Sequence, residues 1–255
     1  MDKIISKKYN IFILAAGTGK RMGKIGKNNP KCLLKINKIC LIDYLINFLI
    51  NKKFKEINIV VGFKYLKIKK YLHKYKDIKI KNIFIKNYRK NGHSMSWYNF
   101  RKVFYKNKKN TIMIHADSFF EKMYFENIIK SKFPDIIGVK NIKSSLNKEA
   151  FYVKEEKNYV SEIQNKNLIK KPQGIIIGLN KISYITMNKI FIFMNIFFKK
   201  EKNKRLSWEI VLNEFIKKRP KLFKILKKQN FKWVNINKKK DLLLANKLSK
   251  KRIFV

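Results

Sequence analysis

The sequence predicts an α/β fold in which a largely parallel sheet is covered by helices on both faces. Short apolar runs rich in β-branched residues alternate with stretches of helical spacing, which is typical of βαβ units. The chain has 255 residues, 45% hydrophobic and 14% aromatic, which suffices for a substantial core. We therefore expect a single domain over residues 1–255, with a change of pattern at about 132–180.

The first predicted strand, Ile11–Ala16, is followed by a glycine-rich and basic loop. Glycines let backbone N–H groups approach a ligand closely, and such donors attract phosphate oxygens. Fixed cations in the same loop favour a polyphosphate ligand. The loop residues concerned are Gly17, Gly19, Lys20, Arg21 and Gly23.

Two well-known phosphate-binding loops fit less well. The Walker pattern requires Ser or Thr after its Gly-Lys pair, but Gly23-Lys24 leads into Ile25. The dinucleotide fingerprint nearly fits, because the glycines form G-x-G-x-x-x-G, but it also needs an acidic residue ending the second strand. That strand, Ile57–Val61, ends in Gly62-Phe63.

The stretch from Leu14 to Leu34 contains LAAGTGKRMG followed by NPKCLL. It resembles the nucleotidyltransferases that activate sugar phosphates, phosphocholine and similar headgroups with an NTP. The resemblance implies a three-layer α/β/α Rossmann-like nucleotidyltransferase fold, with a mostly parallel mixed sheet and a small antiparallel insertion. It also implies that Arg21 stabilises the triphosphate and that Lys31 serves both substrates, as catalytic residues. The implied nucleotide-binding turn comprises Leu14, Ala15, Ala16, Gly17, Thr18, Gly19, Lys20 and Arg21.

The segment after the third predicted strand is the candidate for base recognition. Leu41–Asn51 and Tyr65–Tyr75 have helical spacing, Ile83–Lys86 is strand-like, and Asn87–Trp97 then leads into a further helix. In the resembling enzymes this segment recognises the nucleobase, which makes Gly92, Ser94 and Ser96 nucleotide-binding candidates. Ordinary N-capping by either serine is the alternative.

The metal-ligating candidates are Asp117 and Asn237. Asp117 ends the predicted strand Thr111–Ala116, where the family places its principal metal aspartate; a helix-capping role is the alternative. Asn237, before Asp241-Leu242, resembles the closing motif that supplies a second ligand. An amide oxygen can coordinate Mg²⁺ but brings no charge, and many headgroup cytidylyltransferases have Asp there. The resemblance thus implies Mg²⁺ as cofactor, with Asp117 also a catalytic candidate.

The acceptor pocket is expected from the region of short strands and from a later helix. Strands are predicted at Asp135–Val139, Ala150–Val153, Tyr159–Ile163 and Gly174–Leu179, with Glu149 where relatives often have an acid facing the acceptor. After an apolar helix, Tyr184–Lys199, the helix Leu206–Lys217 begins near Trp208 and Glu209. An aromatic face beside a carboxylate suits an ammonium group, so Lys31, Glu149, Trp208 and Glu209 are acceptor-binding candidates. Core packing by Trp208 and a helix-dipole role for Glu209 are the alternatives.

These expectations define a reaction. The preferred prediction is Mg²⁺-dependent transfer of CMP from CTP to a small phosphate or phosphonate such as phosphocholine, with release of pyrophosphate. One alternative is a sugar-1-phosphate nucleotidylyltransferase. Another is an inactive basic nucleic-acid-binding protein with the same fold, although intact Arg21, Lys31 and Asp117 argue against loss of activity.

The net charge of +46 is the most unusual feature of the composition. Such a charge suits nucleic acid or an anionic membrane, but the lysines are scattered through every segment, which favours a compositional origin. Cys32 and Cys40 form neither a metal-binding pattern nor a CxxC motif, and the N-terminus lacks the apolar core of a signal peptide. We expect a cytoplasmic protein with no membrane span and no specific nucleic-acid partner.

If the lysines are compositional, duplex DNA should be bound weakly, without sequence preference, and with an affinity that falls steeply as salt rises. Fluorescence anisotropy with two unrelated duplexes at low and physiological salt would measure this. A nanomolar affinity at physiological salt that distinguishes the two duplexes would refute the compositional interpretation.

Overall fold

Strands and helices alternate along the chain in the computed structural model, which describes residues 2–142, 150–165, 167–226, 231–250 and 254–255. The strands are β1 (Tyr9–Ala15), β2 (Lys35–Ile36), β3 (Ile39–Cys40), β4 (Glu56–Val61), β5 (Lys79–Phe84), β6 (Asn110–His115), β7 (Ser118–Phe120), β8 (Ile136–Lys140), β9 (Phe151–Glu156), β10 (Tyr159–Asn165), β11 (Gly174–Ile182), β12 (Lys224–Ile225) and β13 (Trp233–Asn235). The α-helices are α1 (Asp2–Lys8), α2 (Lys24–Asn28), α3 (Leu41–Asn51), α4 (Tyr65–Leu72), α5 (Ser94–Asn107), α6 (Lys122–Lys130), α7 (Tyr184–Phe197), α8 (Trp208–Lys218) and α9 (Lys239–Leu248).

Nine of these strands form one mixed sheet, ordered β10-β9-β11-β6-β1-β4-β5, with β8 beside β11 and β12 beside β8. β6, β1, β4 and β5 are parallel neighbours. β11 is antiparallel to β6, β8 and β9, and β9 is antiparallel to β10. The region predicted as an antiparallel insertion therefore extends the main sheet.

Helices cover both faces of the sheet because successive strand residues point to opposite sides. Ile11 and Ile13 of β1 belong to the apolar cluster that includes α3, α4 and α6. Phe12, between them, belongs to the cluster that includes α5, α7 and α8, and it stacks on Phe100 at 4.2 Å between ring centroids. The predicted three-layer α/β/α Rossmann-like architecture is confirmed.

Several element boundaries differ from the predicted ones at the edge of the sheet. β5 spans Lys79–Phe84 instead of Ile83–Lys86, and α4 ends at Leu72 instead of Tyr75. β5 pairs with β4 alone and carries lysines, as edge strands commonly do, so its apolar signal is short. The sequence also did not indicate α6, which packs under the main sheet. None of the described helices combines the length and apolar character needed to cross a bilayer.

The register of the central strands places two loops side by side. Leu14 of β1 pairs with His115 of β6, so the loop after β1 and the turn after β6 leave the same edge of the sheet. Ligands of open α/β sheets bind at this carboxyl edge. The predicted phosphate loop and Asp117 therefore meet.

Candidate active site

Glycines shape the loop after β1. Gly19 and Gly23 have φ of +64° and +61°, a conformation that strains other residues. A Cβ on Gly19 would lie 3.0 Å from Cγ of Lys31, and a Cβ on Gly26 would lie 2.2 Å from the carbonyl oxygen of Gly19. Because these side chains are absent, the loop closes on α2 and the stem of Lys31 passes beside it.

Four polar side chains from distant parts of the sequence converge beyond this loop. The ammonium of Lys31 forms an ion pair with Asp117 and donates to Oδ1 of Asn237 at 2.8 Å. Arg21 donates to the same amide oxygen at 2.8 Å. The first loop, the end of β6 and the C-terminal segment thus share one charged cluster.

Asn237 is positioned by backbone pairing and by Asp241. β13 pairs antiparallel with β7, and the backbone N–H of Ile236 donates to the carbonyl of Asp117 at 2.9 Å. Oδ2 of Asp241 accepts from the backbone N–H groups of Asn237 and Lys238 at 2.9 and 2.7 Å. Asp241 therefore stabilises the turn that carries Asn237.

The cluster keeps Asp117 ionised. Burial by itself raises the pKa of this carboxyl, but the positive charge and the hydrogen bond of the Lys31 ammonium hold the pKa below its ordinary value. Burial lowers the pKa of His115 to about 4, so its imidazole is neutral at physiological pH. The centre of the site therefore combines one carboxylate with two cations and a neutral imidazole.

The donor set suits a hard divalent cation. Asp117 and Asn237 direct oxygens to the same point, because both contact the ammonium of Lys31. Within the described ranges, no group of three or more His, Cys, Asp or Glu residues could hold a metal by itself. Mg²⁺ is commonly bound by one or two protein oxygens together with substrate phosphates and water, so Asp117 and Asn237 fit it.

Three adjoining cavities form a cleft along this edge of the sheet. The central cavity, about 250 Å³, contains the phosphate loop and the charged cluster. The α5 cavity, about 350 Å³, shares Gly17, Thr18, Lys20 and His93 with it. The β11 cavity, about 430 Å³, shares Asp117 and Asn237 with it. Two ligands could therefore meet at the charged cluster.

The residues predicted to form the nucleotide-binding turn line this cleft. Leu14, Ala15, Gly17, Thr18, Gly19, Lys20 and Arg21 line the central cavity, and Ala16 lines the α5 cavity.

The residues predicted to recognise a base have different positions. Gly92 and Ser96 line the α5 cavity. Ser94 is fully buried and its hydroxyl donates to the carbonyl of Leu206 at 2.8 Å, so it connects α5 to the segment before α8. Neither serine caps α5, whose N-cap residue is His93 without a side-chain cap bond.

Trp208 and Glu209 also have different surroundings. Trp208 is fully buried, stacks on Trp97 at 5.3 Å and meets the His115 ring at 5.4 Å. Trp208 does not line the cleft and therefore offers no open aromatic face to a ligand there. The structure shows the alternative, in which Trp208 packs in the core. Glu209 does line the β11 cavity. Glu149, the other predicted acceptor residue, lies outside the described residues.

Glu209 is a buried carboxyl with little compensation. It is 9% exposed, and burial raises its pKa to about 7, against the opposing influence of its own backbone N–H, Ser207 and Trp208. Within the described part of the chain, its Oε2 makes no hydrogen bond of normal geometry. A ligand with N–H donors would supply the missing partner.

Sequence reasoning missed several residues that line the cleft. His93 lies where the central and α5 cavities meet, His115 lines the β11 cavity, and Arg205 lines the α5 cavity. The backbone N–H of Gly92 donates to the carbonyl oxygen of Lys204 at 2.8 Å. This hydrogen bond holds the segment that contains Arg205 beside the α5 cavity. Neither histidine belongs to a recognised motif. The only sequence signal for them is that each lies after or at the end of a predicted strand, where ligands of such sheets bind.

The α/β/α sheet thus carries a glycine-rich loop and a cluster of charged side chains in one cleft at its carboxyl edge. The sequence matches the family model described as Nucleotidyl transferase over residues 11–252. The chain belongs to this family, as the sequence resemblance predicted.

Curated relatives and solved structures agree with this assignment. The chain is 27% identical over 176 residues to the CTP:phosphoglutamine cytidylyltransferase of Campylobacter jejuni, covering 68% of this chain and 65% of that protein. It is 44% identical over 52 residues to the choline-phosphate cytidylyltransferase of Streptococcus pneumoniae, covering 20% and 23%. The structure of the inositol-1-phosphate CTP transferase from T. maritima superposes with a TM-score of 0.77 at 17% identity, covering 96% and 97%, which shows a shared fold.

Glu209→Gln should increase the stability of the protein at pH 8. The pKa of Glu209 rises from 4.5 in the unfolded chain to about 7 in the folded protein. The buried charge therefore does not lower the free energy of unfolding below pH 4.5, and it lowers this free energy increasingly between pH 4.5 and about pH 7. Each pKa unit corresponds to about 1.4 kcal/mol, and relaxation reduces the effect, so we expect a gain of about 1–3 kcal/mol.

Thermal unfolding at pH 5 and pH 8 would measure this gain, which should be small at pH 5. Glu214→Gln is the matched control, because Glu214 lies on the same helix and pairs with Lys217 at 3.0 Å at the surface. A Glu209→Gln protein that is less stable than wild type at pH 8 would contradict the prediction.

Proposed function

We propose that this protein is a cytidylyltransferase, which transfers CMP from CTP to a small phosphate or phosphonate acceptor that bears an amino or ammonium group. The observation that carries the proposal is the charged cluster of Arg21, Lys31, Asp117 and Asn237 between two cavities. A nucleotidyl transfer needs this arrangement, because both substrates are anionic and must approach one phosphorus atom from opposite sides.

The bonds formed and broken in this reaction are simple. A lone pair of an acceptor phosphate oxygen forms a new bond to the α-phosphorus of CTP. The bond from that phosphorus to the oxygen bridging to the β-phosphate breaks, and pyrophosphate leaves with the electron pair. No covalent enzyme intermediate is required.

The chain contributes mainly position and charge. Backbone N–H groups of the loop from Gly17 to Lys20 would hold the triphosphate, with Arg21 against its negative oxygens. Lys31 lies where the central and β11 cavities meet, so its ammonium would contact the α-phosphate and the attacking oxygen. Such fixed charges stabilise the additional negative charge of the transition state.

Asp117 and Asn237 would hold Mg²⁺. When bound, this ion would neutralise phosphate charge and polarise the α-phosphate. The chain itself fixes both ligands, because Lys31 contacts both side-chain oxygens and Asp241 holds the turn at Asn237.

The choice of CTP and of an amine-bearing acceptor rests on two supports. The curated relatives named above are cytidylyltransferases for phosphoglutamine and choline phosphate. Glu209 also provides a carboxyl in the β11 cavity, where a neutral sugar would leave it without a counter-charge. A sugar 1-phosphate acceptor is the alternative, because a UDP-glucose pyrophosphorylase has the same fold.

Pyrophosphate release with a panel of substrates would test the proposal. CTP, UTP, dTTP, ATP and GTP would each be combined with amine-bearing phosphates, phosphonates and sugar 1-phosphates in the presence of Mg²⁺. We expect release with CTP and an amine-bearing acceptor. Release with sugar 1-phosphates alone would support the alternative, and no release with any pair would refute a transferase role.

Asp117→Asn should lower kcat at least about a hundredfold, because the lost charge stabilisation corresponds to roughly 3 kcal/mol in the transition state. Steady-state kinetics under the best substrate pair would measure the loss, and thermal unfolding would verify that the variant folds. Asp77→Asn is the matched control at an exposed position. Near-wild-type turnover of Asp117→Asn would remove Asp117 from the site.

A further inference from the structure

We infer that the β11 cavity selects a primary ammonium group, bound jointly by Glu209 and His115, so that the preferred acceptor is an aminoalkyl phosphate or phosphonate and not its trimethylated analogue. This inference rests on the proposed function, since it specifies the acceptor of the same site. It also assigns acceptor recognition to His115, which lines the same cavity.

Two buried polar atoms of this cavity have no hydrogen-bond partner among the described residues. Within the described residues, Oε2 of Glu209 and Nε2 of His115 are both buried and make no hydrogen bond. Both residues line the β11 cavity together with Asp117 and Asn237. Buried polar atoms are normally satisfied, so two unpaired atoms in one cavity indicate a missing ligand.

The pair can accept hydrogen bonds, and the negative charge of Glu209 favours a donor that is also a cation. The carboxylate of Glu209 can only accept hydrogen bonds. The neutral imidazole of His115 has one nitrogen that accepts and one that donates. A bound cation would favour the tautomer in which Nε2 is the accepting nitrogen. A primary ammonium has three N–H donors and a positive charge, so one such group satisfies both atoms.

The position of His115 is built into the fold by Gly178. This residue has φ +75°, and a Cβ there would lie 2.6 Å from Cγ of His115. The register of β11 with β8 shifts between Ile176 and Asn180, which includes this glycine. The bulge therefore leaves room for the imidazole at the cavity wall.

The cavity carries both signs of charge. Its lining includes the carboxyl groups of Asp117, Glu209 and Asp241 and the ammonium groups of Lys238 and Lys240. A ligand with an anionic phosphate at one end and an ammonium at the other matches this combination of charges.

A quaternary ammonium matches the cavity less well. The aromatic side chains that line it, Phe151 and Trp233, could attract either kind of cation. A trimethylammonium has no N–H donor, however, and would leave both acceptor atoms buried and unpaired. Each unpaired atom should reduce kcat/KM by at least about fivefold, so the combined discrimination should exceed roughly twentyfold.

The N-methylation series of phosphoethanolamine tests this inference with the wild-type protein. Phosphoethanolamine, its N-methyl and N,N-dimethyl derivatives and phosphocholine would each be supplied with CTP and Mg²⁺, and pyrophosphate release would be followed. We expect kcat/KM to fall with each methyl group, mainly through a higher KM for the acceptor, while the KM for CTP stays constant.

Glu209→Gln should reduce kcat/KM for phosphoethanolamine at least about tenfold, because the charge that favours N–H donors is removed. The differences in kcat/KM between phosphoethanolamine and its methylated derivatives should also become smaller. Glu214→Gln on the same helix should leave the series unchanged. The wild-type series decides the matter even if the Glu209 variant does not fold.

The outcomes separate the two proposals. Phosphocholine turned over as well as, or better than, phosphoethanolamine would overturn the inference and leave the cytidylyltransferase proposal intact. A Glu209→Gln protein that keeps the wild-type discrimination would also overturn it. Turnover of sugar 1-phosphates alone, or no turnover at all, would refute the proposed function and the inference with it.

Discussion

The ammonium of Lys31 is the contact on which the cleft depends. It joins Asp117 at the end of β6 to Asn237 near the C-terminus, while its stem lies beside the glycine loop after β1. Removal of either Lys31 or Asp117 would leave the other as a largely buried charge without its counter-charge, which is among the more costly changes in a protein. One side chain thus holds together three segments that are far apart in the sequence.

The rest of the cleft is polar and incompletely paired, which costs stability. Glu209, His115 and the indole N–H of Trp208 contribute buried atoms that make no hydrogen bond within the described residues. The surrounding α/β/α core offsets this cost, because each fully buried aromatic or aliphatic side chain contributes about 1.5–3 kcal/mol relative to exposure. A rigid apolar scaffold can therefore maintain a site whose polar groups are ready for a ligand.

The unequal charge of the chain makes its acidic residues informative. Against 62 Lys and Arg residues there are 16 Asp and Glu residues, and several of them hold the fold together from within. Asp43 accepts from Tyr75 at 2.6 Å, which connects α3 to the residues after α4. Asp135 accepts from the backbone N–H of Ser183 at 2.7 Å, which connects the start of β8 to α7. The surplus lysines have no such common location, in keeping with a compositional origin.

Sequence alone sufficed for the fold class, for the first strand and the glycine-rich loop after it, and, through the family resemblance, for Arg21, Lys31, Asp117 and Asn237 as candidate site residues. These features are local: buried strands are apolar runs, and a glycine turn must lie next to the strand that it ends. Tertiary structure alone decided that Trp208 is core and Glu209 faces the cleft, because helix α8 turns one side chain inward and the next toward the cavity. It also placed His115 at the wall of the β11 cavity, because Gly178 leaves space beside the imidazole.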